Sequence, residues 1–346
     1  MSTPHAAAQI DLDAVEAYLT KAIPGFRGPV TAEKTATGQS NPTFILTAGS
    51  GNYVLRRKPP GQLLKSAHAV DREYRVMKAL ASSDVPVPPV FHLCEDESVI
   101  GSMFYVMQKV EGRILFDPAV PSVDNDHRAA MYDDMNRVLA ALHSVDHEAV
   151  GLDDFGKPGS YFARQLGRWT KQYRASETET IEDMETLIAW LEARVPADDD
   201  KTSIVHGDYR IDNLIYHPTE PRVVAVLDWE LSTLGHPIAD LAYQRMQGRL
   251  PPGEVGRGLM GIGRAALGIP SEDEYTEMYM KRMGLTEIPE LSFATAFSFF
   301  RICAILQGVK KRGLDGNASN PKAALSMGEK INFMAKLGVH CAETEG

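Results

Sequence analysis

Residues 203–230 constrain the fold of this chain more than any other segment, because short apolar runs alternate there with polar side chains. Three of these runs have the length and composition of buried strands, and they cover residues 203–205, 214–216 and 223–227. Asp208, Asn213 and Asp228 each lie close to the end of such a run. The pattern therefore predicts a small β island that presents oxygen-bearing side chains at the ends of its strands.

Two carboxylates and one carboxamide make a set of hard oxygen ligands, which suits Mg²⁺ and suits neither zinc nor copper. Asp208 precedes Asn213 by five residues, so one loop can present both side chains, while Asp228 arrives on the adjoining hairpin. In phosphoryl transfer, one carboxylate orients or deprotonates the attacking hydroxyl, and other oxygen ligands hold the metal that bridges the nucleotide phosphates. The spacing thus predicts phosphoryl transfer with Asp208 as base and Asn213 and Asp228 as metal ligands.

The sequence on either side of this segment predicts a β-rich first third and a mainly helical remainder. Strands are predicted at residues 43–47, 53–56 and 103–107. The first two flank a glycine-containing loop, which is typical of a hairpin. Helices are predicted from residue 12 to the Pro24-Gly25 break, along a face formed by Val70, Tyr74, Met77 and Leu80, at residues 161–174 and 181–194, and through residues 238–338.

Charge and composition exclude several classes of protein. Thirty-six Lys and Arg residues against 46 Asp and Glu give this 346-residue chain a formal net charge of −10. A field of that sign repels phosphate, which argues against a general nucleic-acid binder and against binding to anionic membranes. The three cysteines form no CxxC pair, no basic-then-apolar leader opens the chain, and Arg301 interrupts the most apolar stretch. We therefore expect a cytoplasmic protein whose partners are small molecules.

The motif around Asp208 resembles that of a known family. His206-Gly207-Asp208, four further residues, Asn213 and a later strand that ends at Asp228 are similar to the hallmark of the aminoglycoside phosphotransferase and choline-kinase-like family. Residues 231–242 resemble the segment that follows in these kinases, where the position matching Asp240 braces the catalytic loop. The resemblance supports Asp208 as the catalytic residue.

The same resemblance implies an α+β, protein-kinase-like fold of two lobes, with ATP and Mg²⁺ in the cleft between them. Residues 1–110 would form the nucleotide-binding N-terminal lobe, with a leading helix. Residues 111–346 would form the mainly helical C-terminal lobe, which carries catalysis and substrate binding. The reaction implied is transfer of the γ-phosphoryl group of ATP to a hydroxyl of a small molecule.

Further nucleotide contacts follow from the resemblance. Ser40 and Asn41 fall where the loop that covers the phosphates belongs, although the segment contains one glycine and no GxGxxG motif. Residues 105–112 resemble the hinge of the family, where backbone groups of the positions matching Gln108 and Val110 bind adenine. All four residues are therefore expected to bind the cofactor.

Arg56 stands on the strand that ends in Lys in protein kinases, and Glu73 on the next helix resembles the ion-pair partner of that Lys. An Arg keeps the charge and can grip phosphate with two donors, yet it does not replace a Lys in every respect. Arg57 or Lys58 could serve instead. Because side chains alternate along a strand, Val54 and Arg56 share one face, which favours Arg56.

A narrower resemblance indicates the acceptor. Residues 56–61, 67–74, 206–213 and 228–235 are similar to bacterial phosphotransferases related to the amino-terminal kinase domain of the large mammalian acyl-CoA dehydrogenases. Members of that group are implicated in phosphorylating 4-hydroxyacyl-CoA thioesters. The resemblance thus implies a hydroxyacyl-CoA as acceptor, and an aminoglycoside or another small alcohol is the alternative.

Two other classes of function stay open at this point. A catalytically silent nucleotide-binding module would fit the Arg at position 56 and the glycine-poor loop. A metallohydrolase would use His206, Asp208, Asp228 and His236 as metal ligands. The residues also leave open whether Asp212 and His206 take part in the chemistry or support the loop, and bracing is favoured for His206.

Overall fold

The computed structural model describes residues 10–35, 41–59, 69–157, 159–253, 256–316 and 321–345. The chain divides into two compact units. The first comprises the residues up to Arg113 together with Asn213–Ser232, and the second comprises Ile114–Asp212 and the residues from Thr233 onward. The assignment of nucleotide binding to residues 1–110 and of catalysis to residues 111–346 stays a prediction.

The first unit contains a five-stranded antiparallel sheet with the strand order β1-β2-β3-β5-β4. Its elements are α1 (Leu12–Ala22), β1 (Thr31–Lys34), β2 (Thr43–Ala48), β3 (Gly51–Arg57), α2 (Val70–Leu80), β4 (Val90–Cys94) and β5 (Phe104–Gln108). Phe44, Leu46 and Leu55 alternate with more exposed residues and share one apolar cluster with Val15 and Leu19 of α1. Removing this face from water stabilises the sheet.

The predicted helix face on α2 needs one correction. Val70, Met77 and Leu80 are buried as expected, but Tyr74 is only half-buried. Glu73 takes the buried position instead, at 1% exposure. Helical periodicity identifies apolar residues, so it does not reveal a carboxylate that is buried because it has polar partners.

A second, smaller sheet of the first unit carries two predicted metal ligands. It has the strand order β6-β8-β9, with the bounds β6 (Arg113–Ile114), β8 (Leu214–Tyr216) and β9 (Val223–Val226). The N–H of Leu227 donates to the carbonyl of Asn213 at 2.8 Å. The antiparallel pairing therefore brings Asn213 and Asp228 to the same end of the β8–β9 hairpin.

The second unit is mainly helical. Its elements are α3 (Asn125–His143), α4 (Tyr161–Ser176), α5 (Glu182–Glu192), β7 (Ser203–Val205), β10 (Thr233–Gly235), α6 (Ile238–Gly248), α7 (Glu272–Met283), α8 (Leu291–Leu314), α9 (Pro321–Gly328) and α10 (Ile331–Glu345). β7 pairs with β10, and it does not join the sheet of β8 and β9. The predicted β island is thus split between the two units.

The long helix α8 lies in the core of the second unit. Phe293, Phe297 and Phe300 are buried in an apolar cluster together with residues of α4, α5 and α10. α8 is the one helix among the described residues that is long and apolar enough to cross a membrane, and 67% of that stretch is buried inside the protein. Its apolar composition is accounted for by core packing.

Candidate active site

The loop after β7 is fixed by hydrogen bonds from its backbone to one carboxylate. The N–H groups of His206 and Gly207 donate to Oδ2 and Oδ1 of Asp240 at 2.6 and 2.7 Å. Gly207 has φ of 83°, a left-handed conformation that favours glycine. Both oxygens of Asp240 therefore hold the backbone immediately before Asp208.

Asp240 is completely buried at the start of α6. Its carboxylate also lies 3.3 Å from Nε2 of His143, whose Nδ1 is 2.7 Å from the hydroxyl of Tyr279. Burial acts to raise the pKa of Asp240, but the hydrogen bonds and charges of His143 and His206 outweigh it and lower that pKa. The expectation that Asp240 braces the loop is confirmed by these contacts.

The predicted base, Asp208, is presented at the end of this braced loop. Its Oδ1 accepts a hydrogen bond from the hydroxyl of Tyr243 at 2.6 Å and lies 3.3 Å from Nε of Arg210. The side chain of Asp208 is 22% exposed. The buried ring of His206 accepts the N–H of Asp208 through Nδ1 at 3.2 Å, which fits the bracing role favoured for His206.

Asp212 is engaged in ion pairs, and His236 contacts a carboxylate. The Asp212 carboxylate lies 3.1 Å from Arg210 and 2.7 Å from Arg257. His236 pairs with Asp199 at 3.2 Å. Within the part of the chain that the structure describes, no three His, Cys, Asp or Glu side chains are grouped so that they could hold a metal.

In the first unit, Arg56 is the centre of a cluster of three carboxylates. Its Nε lies 3.1 Å from Glu73, and its Nη2 lies 2.8 Å from Asp228 and 3.7 Å from Glu230. Burial acts to lower the pKa of Arg56, but the negative charges of Glu73 and Asp228 and the nearby Tyr105 raise it overall. The guanidinium is therefore held in its charged form.

Glu73 is surrounded by hydrogen-bond donors. Its Oε1 accepts from the amide of Asn41 at 2.8 Å, and its Oε2 accepts from the hydroxyl of Tyr105 at 3.1 Å. Burial raises the pKa of Glu73 to about 7, and the charge of Arg56 opposes that shift. Asn41 is fully buried, and this contact supports Glu73. Ser40 lies outside the described residues, so nucleotide contacts of both Ser40 and Asn41 stay predictions.

The two predicted metal ligands differ in exposure. Asn213 is 8% exposed, whereas the side chain of Asp228 is 32% exposed. Asp228 has φ of 64° and ψ of 60°, a left-handed conformation that few residues other than glycine, Asn and Asp adopt. Strained backbone of this kind is concentrated at functional sites.

Arg57 and Lys58, the two alternatives to Arg56, contact other residues. Arg57 donates to the carbonyl of Ile100 at 3.3 Å and lies over the ring of Phe44. Lys58 lies 3.6 Å from Asp71. Among the three cations, Arg56 is the one that contacts Asp228.

At the predicted hinge, Gln108 is the last residue of β5, and its N–H donates to the carbonyl of Pro89 at 2.8 Å. The N–H of Gln108 therefore already has a partner within the first unit. Val110, two residues further on, lies outside any helix or strand and is half-buried. Adenine contacts through the backbone of Gln108 and Val110 stay predictions.

Sequence reasoning missed two residues that support the Asp208 loop. Tyr243 lies three residues after Asp240, so both side chains fall on the same face of α6, which is the signal that could have found it. Arg301 donates to the carbonyl of Gly207 at 2.6 Å, and its guanidinium lies over the rings of Tyr243 and Trp169. The corresponding signal for Arg301 is that it is the one cation among residues 291–306, the most apolar stretch of α8.

Residues 31–274 of the chain match the model of the phosphotransferase enzyme family (APH). The chain belongs to this family. Acyl-CoA dehydrogenase family member 10 of Mus musculus is 49% identical to it over 340 residues, which cover 97% of this chain and 32% of that protein. The chain spans between 32% and 44% of the length of the first curated relatives that it matches.

Solved structures show the same relationship. A crystal structure from Ralstonia eutropha JMP134, with the provisional name aminoglycoside phosphotransferase, is 51% identical with a TM-score of 0.87, over 97% of this chain and 99% of that one. The aminoglycoside phosphotransferase APH(4)-Ia shares the fold at 15% identity, with a TM-score of 0.63 over 95% of this chain and 98% of that one. The predicted α+β, protein-kinase-like fold and the predicted phosphotransferase class are confirmed.

Proposed function

We propose that this protein is an ATP- and Mg²⁺-dependent kinase that transfers the γ-phosphoryl group to the hydroxyl of a hydroxyacyl-CoA. The observation that carries the proposal is the setting of Asp208. Its carboxylate is partly exposed, accepts a hydrogen bond from Tyr243, and follows a backbone that Asp240 holds through two N–H groups. A general base needs this combination of access and fixed position.

Arg56 and its carboxylates support the nucleotide part of the proposal. A buried, permanently charged guanidinium on β3 provides a donor for phosphate oxygens. Glu73 forms an ion pair with that guanidinium. The Arg56 side chain is therefore already ordered before a nucleotide binds. A structural neighbour, APH(4)-Ia, forms a ternary complex with AMP-PNP and hygromycin B. ATP is the corresponding donor in our proposal.

The donor set at the end of the β8–β9 hairpin fits a magnesium ion. Asn213 offers a carboxamide oxygen and Asp228 a carboxylate that is about one-third exposed. These are the hard oxygen ligands that Mg²⁺ takes together with waters and phosphate oxygens. When bound, the ion would neutralise charge on the β- and γ-phosphates.

The chemical step then follows from Asp208. Its carboxylate accepts the proton of the acceptor hydroxyl while that oxygen forms a bond to the γ-phosphorus. The bond between the γ-phosphorus and the β–γ bridging oxygen breaks, and ADP leaves with the electron pair. Arg56 contributes positive charge toward the phosphates, which stabilises the charge that develops on the leaving group.

The acyl-CoA part of the proposal rests on the relatives. The chain matches proteins named as acyl-CoA dehydrogenase family members along nearly its whole length. Because it covers less than half of each of them, their remaining length lies outside this comparison. An acyl-CoA as the acceptor of the kinase reaction agrees with these names.

The test is detection of phosphoryl transfer by mass spectrometry. The purified protein is incubated with Mg-ATP and a panel of 3- and 4-hydroxyacyl-CoAs and aminoglycosides. The Asp208→Asn variant is the catalytic control. Asp153→Asn, an exposed aspartate of the same unit, is the matched control for loss of one negative charge.

We expect phosphorylated acyl-CoA with the wild type and Asp153→Asn, and none with Asp208→Asn. A phosphorylated aminoglycoside instead would keep the mechanism and replace the acceptor. Normal turnover by Asp208→Asn would contradict the base assignment. ATP binding without any phosphorylated acceptor would favour the catalytically silent module.

A further inference from the structure

A cavity in the second unit lies directly beside the loop that carries Asp208. Tyr209, Arg210, Ile211 and Asp212 form part of its wall. Residues of α3, α6 and α7 and the segments around Phe116 and Leu259 also line it. None of the described residues discussed above for nucleotide or metal binding lines it.

The wall of this cavity is mainly apolar and aromatic. Its apolar and aromatic lining includes Phe116, Tyr132, Met135, Leu259 and Ile269. Gln244 and Tyr275 add neutral polar groups. Such a wall favours a hydrocarbon over a strongly hydrated ligand, because water leaves apolar surface with a gain in free energy.

Charged side chains in the wall are compensated by ion pairs. Four arginines and two acidic residues line the cavity: Arg210, Arg245, Arg257, Arg264, Asp212 and Glu272. The arginines pair with these two acidic residues and also with Asp208, Asp273 and Glu345. The choice of ligand therefore rests on the apolar part of the wall.

The size of the cavity limits what can enter it. Its volume is about 80 Å³. Because a cavity of about 150 Å³ holds one benzene ring of six carbons, this cavity has room for about three carbons. That is enough for a short aliphatic chain.

We propose that this cavity binds the hydrocarbon tail of the acceptor, the part of the acyl chain beyond the hydroxyl-bearing carbon. The inference rests on the proposed function and deepens it, because the cavity then selects acceptors by the length of that tail. The reason is that two lining residues, Tyr209 and Ile211, follow Asp208 closely in the chain. A tail held by these two residues keeps the hydroxyl near the loop that carries the base.

The kinetic test is a chain-length series of 4-hydroxypentanoyl-, 4-hydroxyheptanoyl- and 4-hydroxydecanoyl-CoA. Their tails beyond the hydroxyl-bearing carbon grow from one carbon to six. We expect kcat/KM to rise about tenfold from a tail of one carbon to a tail of three, which fills the cavity, and to change little from three carbons to six. A ratio near one between the longest and the shortest acceptor would overturn the cavity assignment.

Variants of the wall sharpen this test. Leu259→Phe fills part of the cavity and should lower the long-to-short ratio about tenfold. Phe116→Ala removes a wall residue that is 47% exposed, so it carries little risk for folding, and should lower the ratio about threefold. The matched control is Phe333→Ala on α10, an equally exposed ring outside the cavity, which should leave the ratio unchanged. Equal ratios in all three variants would contradict the proposal.

A binding measurement separates this inference from the proposed reaction. The protein is labelled with [methyl-¹³C]methionine, and the Met135 signal is assigned from Met135→Leu. Decanoyl-CoA, which has no hydroxyl to phosphorylate, should shift the Met135 methyl signal, and coenzyme A alone should not.

Failure of the proposed reaction and failure of the cavity assignment give different results. If decanoyl-CoA shifts the Met135 signal but no hydroxyacyl-CoA is phosphorylated, the cavity assignment stands and the proposed reaction fails. If hydroxyacyl-CoAs are phosphorylated without dependence on tail length and Met135 does not respond, the reaction stands and the cavity assignment is wrong.

Discussion

Asp240 in the second unit and Asp228 in the first are both acidic residues close to the predicted chemistry, yet their surroundings are opposite. Asp240 is fully buried and accepts two backbone N–H groups. Asp228 is about one-third exposed, lies in a left-handed conformation, and is held by the guanidinium of Arg56. One carboxylate is enclosed by the protein, and the other is open to a ligand.

The difference shows how the same side chain can serve structure or function. A buried carboxylate whose oxygens are satisfied by backbone donors stabilises one conformation of a loop. A partly exposed carboxylate in strained backbone, beside a cation, keeps the capacity to bind something else. We therefore expect substitutions at the two positions to separate stability from activity.

The largest effect is expected from Asp228→Asn. Loss of the charged metal ligand should lower kcat for acceptor phosphorylation on the order of 10³-fold, since charge neutralisation supplies much of the catalysis in phosphoryl transfer. Because Arg56 keeps its ion pair with Glu73, the free energy of unfolding should change by less than about 1 kcal/mol. Steady-state kinetics and urea unfolding check both parts, and a large loss of stability would break the comparison.

For Asp240→Asn we expect the opposite result, in which the main effect is a loss of stability. The side-chain NH2 group of the introduced Asn would face one of the two backbone N–H groups. That backbone N–H would then have no acceptor in a buried site. We expect the free energy of unfolding to fall by about 3 kcal/mol, measured by urea unfolding monitored by circular dichroism. Stability equal to that of the wild type would show that the two hydrogen bonds do not brace the loop.

Tyr243→Phe tests the hydrogen bond from the buried Tyr243 to Asp208. Removing the hydroxyl frees the carboxylate from a hydrogen bond of 2.6 Å, so kcat should fall about tenfold while the KM for ATP changes little. Tyr173→Phe is the matched control, since the buried hydroxyl of Tyr173 makes no hydrogen bond to the described residues. Equal kinetics for both variants would remove the positioning role of Tyr243.

The smallest effect concerns pH. Contacts with His143 and His206 hold the pKa of Asp240 below its usual range, so the folded protein releases this proton at a lower pH than the unfolded chain does. The resulting stabilisation is present above the ordinary Asp pKa, near 3.9, and is lost as the pH falls through the lowered pKa. The difference in unfolding free energy between wild type and Asp240→Asn should therefore shrink from pH 5 to pH 3. A difference independent of pH would contradict this account.

Local elements could be predicted better than the pairing of distant strands. Short apolar runs ending in polar residues indicated the Asp208 loop and the β8–β9 hairpin, because these signals depend only on local periodicity. Arg56 was identified by the resemblance to the kinases, and alternation along β3 favoured it over Arg57. β1 (Thr31–Lys34) and β10 (Thr233–Gly235) gave no such signal. β1 is mostly exposed and lacks an apolar face, and it exists because β2 offers it hydrogen bonds.

Two contacts between distant parts of the chain were beyond sequence reasoning. Arg301 reaches Gly207 across 94 residues, and Asn41 reaches Glu73 across 32. A polar residue that is buried only because a distant partner satisfies it looks, in the sequence, like an exposed one. The cavity beside the loop has the same origin, since its wall comes from several separate stretches of the second unit.

The most direct test of the proposed reaction is ³¹P NMR of the protein mixed with Mg-ATP and 4-hydroxydecanoyl-CoA. We predict a new phosphomonoester signal that grows in equal amount with ADP and is absent with Asp208→Asn. ADP accompanied only by inorganic phosphate, or an ester formed equally well by Asp208→Asn, would contradict a kinase in which Asp208 deprotonates the acceptor hydroxyl.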